Sequence, residues 1–490
     1  PWGFQTGHLT EWAKLLLTLE RLTPKAPEDS WMLHHARELF AAAGARLEHH
    51  VTLRPLEPAC RHFFVDGGDG SRLDLFNDRE RSRAAIADFA GEANARGYDA
   101  FCEHAARIFS IVREPFMEQA APTSILGFLR PSLLPRLPGL LRIDARRTLW
   151  DALGSFFPDE RLRALFGRYA TYNGSSPFHA PGTLAVIPHV EQAFGVHVVE
   201  GGIARLADAL VELLRDLGVE LRTGVEVERI LVENGRARGV IAGGARIPAD
   251  AVVVNAEARH LFEHLLEGEP RAAVEARRLA TLSPSLSAFV LLAASPVTPF
   301  PLAHHNVFFA ADYRREFAAL VDERRAPDDP TVYLCALDRI DGAAAPGTEE
   351  ERHLLLTNAP ALDEQAPPDW TIEGPRCRTR MIEALRRHGL SLRPSAERTV
   401  TPADFSRLFP SSRGAIYGAS SNSRTAAFER PPNRVSRWAG IYCVGGSAHP
   451  GAGLPMVGLS AKIAAQALCE DLGLAPPAPP AATPGGTSTP

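Results

Sequence analysis

The sequence predicts an α/β fold, and three observations carry that prediction. A glycine pair, Gly201-Gly202, precedes an amphipathic stretch over 203–217 with apolar residues at Leu206, Ala209, Leu210, Leu213, Leu214 and Leu217. That is helical spacing, and Gly218 stops it. The apolar run Ala251-Val252-Val253-Val254 has the composition of a strand buried on both faces of a parallel sheet. Near the carboxyl terminus a strand over 440–444 enters a glycine-rich loop and then a helix over 459–472. Strands linked through helices in this order build a parallel sheet.

At 490 residues the chain exceeds one ordinary domain, so two intimately joined domains are expected. A hydrophobic content of 45% suffices for a large core, and a net charge of −5 leaves no basic face for nucleic acid. Six cysteines are scattered without a C-x-x-C pair, which predicts reduced thiols in a cytoplasmic protein and no zinc site. No apolar run reaches the roughly 18–20 residues that span a bilayer, and no signal peptide pattern is present.

The elements follow in order. Residues 1–30 form an atypical segment, with a helix over 12–22 broken by Pro24 and Pro27. The stretch 38–44 is helical with a glycine stop. Short strands are predicted over 51–56, 61–65 and 72–75, with Gly67-Gly68-Asp69-Gly70 as the turn between the last two. Helical spacing runs over 78–118, bent near Pro115, and again over 148–170. A loop and an apolar helix lead to residue 195. Strands are predicted over 219–221, 225–232, 238–241, 251–254, 285–293, 332–337 and 354–357, and a helix over 373–389. The last sixteen residues are too rich in proline, glycine and alanine to bury a core and read as a disordered tail.

Residues 121–142 stand apart, because leucines and prolines alternate there with Arg130, Arg136 and Arg142. Such a pattern suits peripheral membrane contact, leucines entering the interface and arginines meeting lipid phosphates. It equally suits a proline-broken surface helix. Replacing Leu133, Leu134, Leu140 and Leu141 by Asp tests the membrane reading through liposome binding.

The densest chemistry lies in the C-terminal unit. Gly445 and Gly446 let a ligand approach the backbone without a Cβ in the way. The loop from His449 to Gly453 then opens a helix, whose first N–H groups and dipole suit phosphate oxygens or a ring edge that gathers negative charge. The run Val444-Gly445-Gly446-Ser447-Ala448-His449-Pro450-Gly451-Ala452-Gly453-Leu454-Pro455, followed by Ser460-Ala461-Lys462, resembles the flavin-binding signature of the phytoene-desaturase-type carotenoid desaturases. Further blocks agree in order: Thr171 to Pro177 with Ala180-Pro181, Glu200-Gly201-Gly202, Val225 to Ile230, and Asp250 to Asn255. The likeness covers roughly 31–474. Blocks at His304 to Phe309 with Asp312-Tyr313, and at Tyr417 to Asn422 with Ala426 to Phe428, resemble the late-acting branch. That branch holds hydroxycarotenoid 3,4-desaturases and terminal-methyl oxygenases.

The resemblance implies FAD as cofactor and a Rossmann-like FAD-binding domain of the amine-oxidase type, interleaved with a substrate domain. It implies an acyclic carotenoid as substrate. On this reading 31–80, 199–275 and 430–474 form the FAD-binding domain, and 81–198 with 276–429 the substrate and membrane-contact domain. Cofactor-binding residues carried over are Val227, beside the adenine, and Gly445, Gly446, Gly453, Leu454, Pro455, Met456 and Val457. Hydride removal from a polyene needs no catalytic triad. His449, His304 and His305 are candidates for a chemical role, set against a loop histidine bonded to backbone and an exposed polar turn. With no accompanying carboxylate pattern, the histidine pair predicts no metal site. An oligomer is compatible with the sequence.

One departure stands at the front. The family opens with a strand and G-x-G-x-x-G, and no such run occurs here before residue 60. The expectation is a sheet without its N-terminal βαβ unit, exposed flanking strands such as 252–254, and weak FAD affinity. A flavin amine oxidase would want an aromatic cage, and seven tyrosines and six tryptophans show no pair for it. A non-catalytic remnant that binds carotenoid is the remaining alternative.

Overall fold

The computed structural model describes residues 31–65, 71–121, 139, 142–340, 342 and 347–474. Expectations for residues 1–30, the turn at 66–70, nearly all of 121–142 and the tail lie outside the described residues.

A short antiparallel pair, β1 (Leu53–Pro55) with β4 (His197–Val199), joins the first strand of the chain to the segment that leads into Gly201-Gly202. A seven-stranded sheet dominates the molecule. Its strands are β2 (Cys60–Phe63), β3 (Arg72–Leu75), β9 (Ser287–Pro296), β10 (His305–Phe308), β11 (Val332–Ala336), β12 (Glu350–Ala359) and β13 (Ala396–Val400), in the order β13-β9-β12-β11-β10-β2-β3. Every pairing is antiparallel except β10 with β2. The domain boundary expected near residue 80 is therefore corrected: β2 and β3 pair into the sheet built from 276–429. Alternation along each strand sorts the two faces. Val290, Val307, Tyr333 and Leu354 face a core shared with helices α1 (Arg79–Ala90), α2 (Glu92–Val112) and α3 (Val186–Phe194). Phe289, Leu291, Phe308 and Leu334 face the opposite core, closed by helix α4 (Trp370–Arg387). The helical run over 78–118 is two helices, because Gly91 at φ +84° ends the first and begins the second. Pro115 sits in a π-helical turn, Arg113–Met117, where the bend was expected.

The second region is built on a parallel pair, β8 (Val252–Val254) with β14 (Ile441–Cys443). Beside it lies an antiparallel sheet of β5 (Val227–Glu233), β6 (Arg236–Ala242) and β7 (Ala245–Pro248). The strand predicted at 219–221 is absent, and β7 lies outside every predicted strand. β14 is buried throughout, whereas in β8 only Val254 is buried and Val253 is 50% exposed. Among the described residues no strand pairs the second edge of β8. Leu217, Val219, Leu221 and Val225 are exposed as well. Helix α5 (Leu454–Leu472) follows β14, and Lys462 bonds Glu38 at 2.7 Å, tying α5 to the helix Trp31–Ala42. Among the described residues no helix is long and apolar enough to cross a membrane. All six cysteines are free, five of them buried.

Candidate functional site

β8 and β14 run parallel and end side by side, at Asn255 and at Val444-Gly445. Ligands of open α/β sheets bind beyond such carboxyl ends. Gly445 stands at φ +102°, and a Cβ there would lie 2.3 Å from Asn255 Oδ1, so glycine is required. Gly453, at φ +110°, opens α5 without a side-chain cap. The N–H groups of Leu454 and Met456 in its first turn have no intrahelical acceptor.

A cavity of about 710 Å³, including its open mouth, lies at this bend. Gly446, Gly453, Leu454 and Val457 line one side, Asn255 and Glu257 a second, and Phe409, Ile416 and Tyr417 a third. Four of the eight carried-over residues thus meet in one wall, and Gly445 shapes it from behind. Pro455 and Met456 lie in the first turn of α5 but do not line the cavity, and Met456 packs on the main core. Val227 opens β5 at 41% exposure and does not line it either. The bend is not packed shut. A second cavity of about 440 Å³ lies over the seven-stranded sheet and shares Ile416 and Tyr417 with the first. Where they meet, Gly174 (φ +67°) leaves no room for a Cβ, which would fall 2.6 Å from Ser285 Cβ and 2.9 Å from the Tyr417 ring.

Buried Arg430 holds the cavity walls together. Its Nη1 donates to the carbonyls of Tyr417 at 3.0 Å and Gly446 at 2.6 Å, and its Nη2 to that of Ala419 at 2.6 Å. Burial pushes its pKa down to about 10, with the Glu257 carboxylate acting the other way, so it stays cationic at neutral pH. Asn433 ties the same loop from below, donating to the carbonyls of Cys443 and His449 and to Ser460 Oγ. The sequence reading missed Asn255, Glu257, Phe409, Ile416 and Arg430 as site residues. The carboxyl-end rule for parallel strands would have pointed to Asn255. Arg430 carries no motif at all.

His449 does not line the cavity. It is buried, its Nε2 lies 2.9 Å from the Gln119 carbonyl oxygen, and its ring stands edge-on to Phe116. This contact is the backbone-satisfying one that the loop position suggested. Burial lowers its pKa to about 4, and lowers those of His189 and His197 equally. Between the usual 6.5 and about 4, the unfolded chain binds protons that the folded chain does not. Stability therefore falls as pH drops through that window, by about 1.4 kcal/mol per pH unit for His449. The melting temperature is expected to decline from about pH 7 to about pH 5, less steeply in His449→Gln. A profile flat across that range would contradict a neutral buried imidazole.

His304 and His305 are not an exposed turn: both are buried, at the start of β10 in the middle of the sheet. His305 Nδ1 and the Tyr333 hydroxyl are 2.7 Å apart, and His304 Nε2 and Cys335 Sγ 3.5 Å. The donor atoms of His304, His305 and Cys335 lie within 4.8 Å of one another, a spacing open to a metal ion, while these pairwise contacts already engage them. Neither histidine lines either of these two cavities, but Tyr333, which His305 holds, lines the second one.

The fit to a flavin rests on this chain's own geometry: two glycines at positive φ, an uncapped helix start and a cavity open in front of both. Residues 30–357 match the family described as flavin containing amine oxidoreductase. The chain is 41% identical to the hydroxyneurosporene desaturase of Rubrivivax gelatinosus, over 89% of this chain and 82% of that protein. It is 32% identical to the 4,4'-diapolycopene oxygenase of a Methylomonas species, over 90% and 87% of the two chains. Among solved structures, an oxidoreductase from Methanosarcina mazei superposes with a TM-score of 0.52 at 17% identity, covering 84% of this chain and 81% of that one, which shows the fold. The chain belongs to the flavin-containing amine oxidoreductase family and, within it, to the phytoene-desaturase-type carotenoid desaturases.

Proposed function

We propose that this desaturase acts on a hydroxylated acyclic carotenoid, with FAD as its flavin. The observation that carries the reading is the junction of the two cavities at Ile416 and Tyr417, which sets a substrate chamber directly beside the glycine-lined bend. The similarity to the hydroxyneurosporene desaturase supports the substrate class. A bound flavin supplies the acceptor for the hydride equivalent that leaves the polyene.

The chain's own residues do the rest. Gly446 lines the cavity without a Cβ and would let a flavin ring approach its backbone, while Gly445 leaves room behind it for Asn255. The uncapped N–H groups of α5 and the Arg430 cation favour negative charge on that side of the cavity. Phe409 and Ile416 present an apolar wall that excludes water from the reacting carbon. A hydrocarbon C–H beside a conjugated system is too weak an acid for a general base to act first. The absence of a required triad follows from that chemistry.

Expression of the full chain in a bacterial host accumulating hydroxylated acyclic carotenoids tests the reading. The pigment absorption is expected to shift to the red as conjugation lengthens, and the heat-released flavin to co-elute with FAD. An unshifted spectrum from well-expressed protein would sink the substrate assignment, and release of FMN the cofactor.

A further inference from the structure

We infer that the second chamber holds the hydroxyl-bearing end of the polyene, with Arg168 and Asn358 selecting it. The inference rests on the carotenoid reading above. For a pure hydrocarbon an all-apolar chamber would serve best, yet this one is lined by a guanidinium, an amide and three phenols beside Leu286, Leu356 and Ile416. Register explains why they converge. Leu356 lies opposite Tyr333 across β11 and β12, and alternation puts Asn358 on the same face as Leu356. Arg168 reaches that face from the 3-10 segment Arg168–Asn173. Its guanidinium lies 5.5 Å from the Tyr172 ring centre and 5.6 Å from that of Tyr333, and donates to the Tyr172 hydroxyl at 3.2 Å. Tyr333 is in turn fixed by His305 at 2.7 Å.

The donor and acceptor inventory selects the ligand. Arginine only donates, so it takes an oxygen lone pair, whereas an asparagine amide can also accept an O–H. A hydroxyl offers both, a carbonyl one, and a hydrocarbon neither. Because the chamber shares Ile416 and Tyr417 with the flavin-side cavity, an oxygen held here sets the hydroxylated end of the polyene on the side next to that cavity.

Two acyclic carotenoids of equal conjugation, one hydroxylated and one not, are titrated in detergent into the full 490-residue chain. Binding is read from the circular dichroism that a bound polyene acquires, which needs no turnover. Wild type is expected to prefer the hydroxylated pigment by about tenfold or more, and Asn358→Leu and Arg168→Gln to reduce the preference to about threefold or less. Asn358 is only half-buried, so its variant carries the test should Arg168→Gln fail to fold. Equal affinities in wild type, or an unchanged preference in Asn358→Leu, would overturn the inference alone. A carboxylated polyene that outcompetes the hydroxylated one would overturn it too, replacing the hydroxyl with an acid as ligand. Binding of neither pigment would overturn the carotenoid reading and the inference with it.

Discussion

Arg430→Met is expected to lower the stability of the fold by about 3–5 kcal/mol and to abolish detectable flavin binding. The guanidinium bonds the carbonyls of Tyr417, Ala419 and Gly446, which come from two segments that both contribute to the cavity lining. Methionine fills similar space and donates nothing, leaving those three carbonyls without their partner, at about 1–3 kcal/mol for each one that water cannot reach. Without the clamp the hydrogen-bonded tie between Tyr417 and Gly446 is lost, and only the packing of Gly418 on Ser447 holds the two segments together. Thermal denaturation and the flavin-to-protein absorbance ratio measure both effects. Arg430→Lys keeps the charge but loses the fork, so it is expected to fall between wild type and methionine. A methionine variant that melts like wild type and retains its flavin would show that the carbonyls have other partners.

Gly445→Ala is expected to have the second largest effect. The methyl group would stand 2.3 Å from Asn255 Oδ1, and φ +102° is a conformation that L-residues rarely adopt. The strain costs about 1–3 kcal/mol. Relief by moving Asn255 pushes its amide towards the cavity it lines. Flavin affinity is expected to drop by more than about tenfold. Gly458 supplies the contrast, since it lies inside α5 with nothing within 4 Å of an added Cβ. Gly458→Ala is expected to leave flavin binding intact and to stabilise the helix by up to about 1 kcal/mol. Flavin binding by Gly445→Ala as tight as that of Gly458→Ala would mean that the bend tolerates a side chain and has no special shape.

Much of this was legible because local chemistry decided it. Arg72–Leu75 forms as predicted, and the helix after Gly201-Gly202 stops at Gly218, which takes φ +74°. The glycine-rich bend was legible for the same reason, since backbone demands write themselves into composition. What failed depended on distant partners. His304 and His305 read as a polar turn until β2 and β11 close over β10 on either side. Arg430 looks like any surface arginine, and only convergence of residues 417–419 with 446 makes it a buried tie. The segment 219–221 shows the converse: Val219 and Leu221 have strand chemistry, yet they pair with no strand and stay exposed.

The open margin of β8 bears on how the molecule behaves in company. Among the described residues that margin's amides and carbonyls meet no neighbouring strand, and half-exposed Val253 stands beside them. Such an edge is complementary to any extended backbone that reaches it. An extended segment that reaches it, from this chain or from another, can add a strand there.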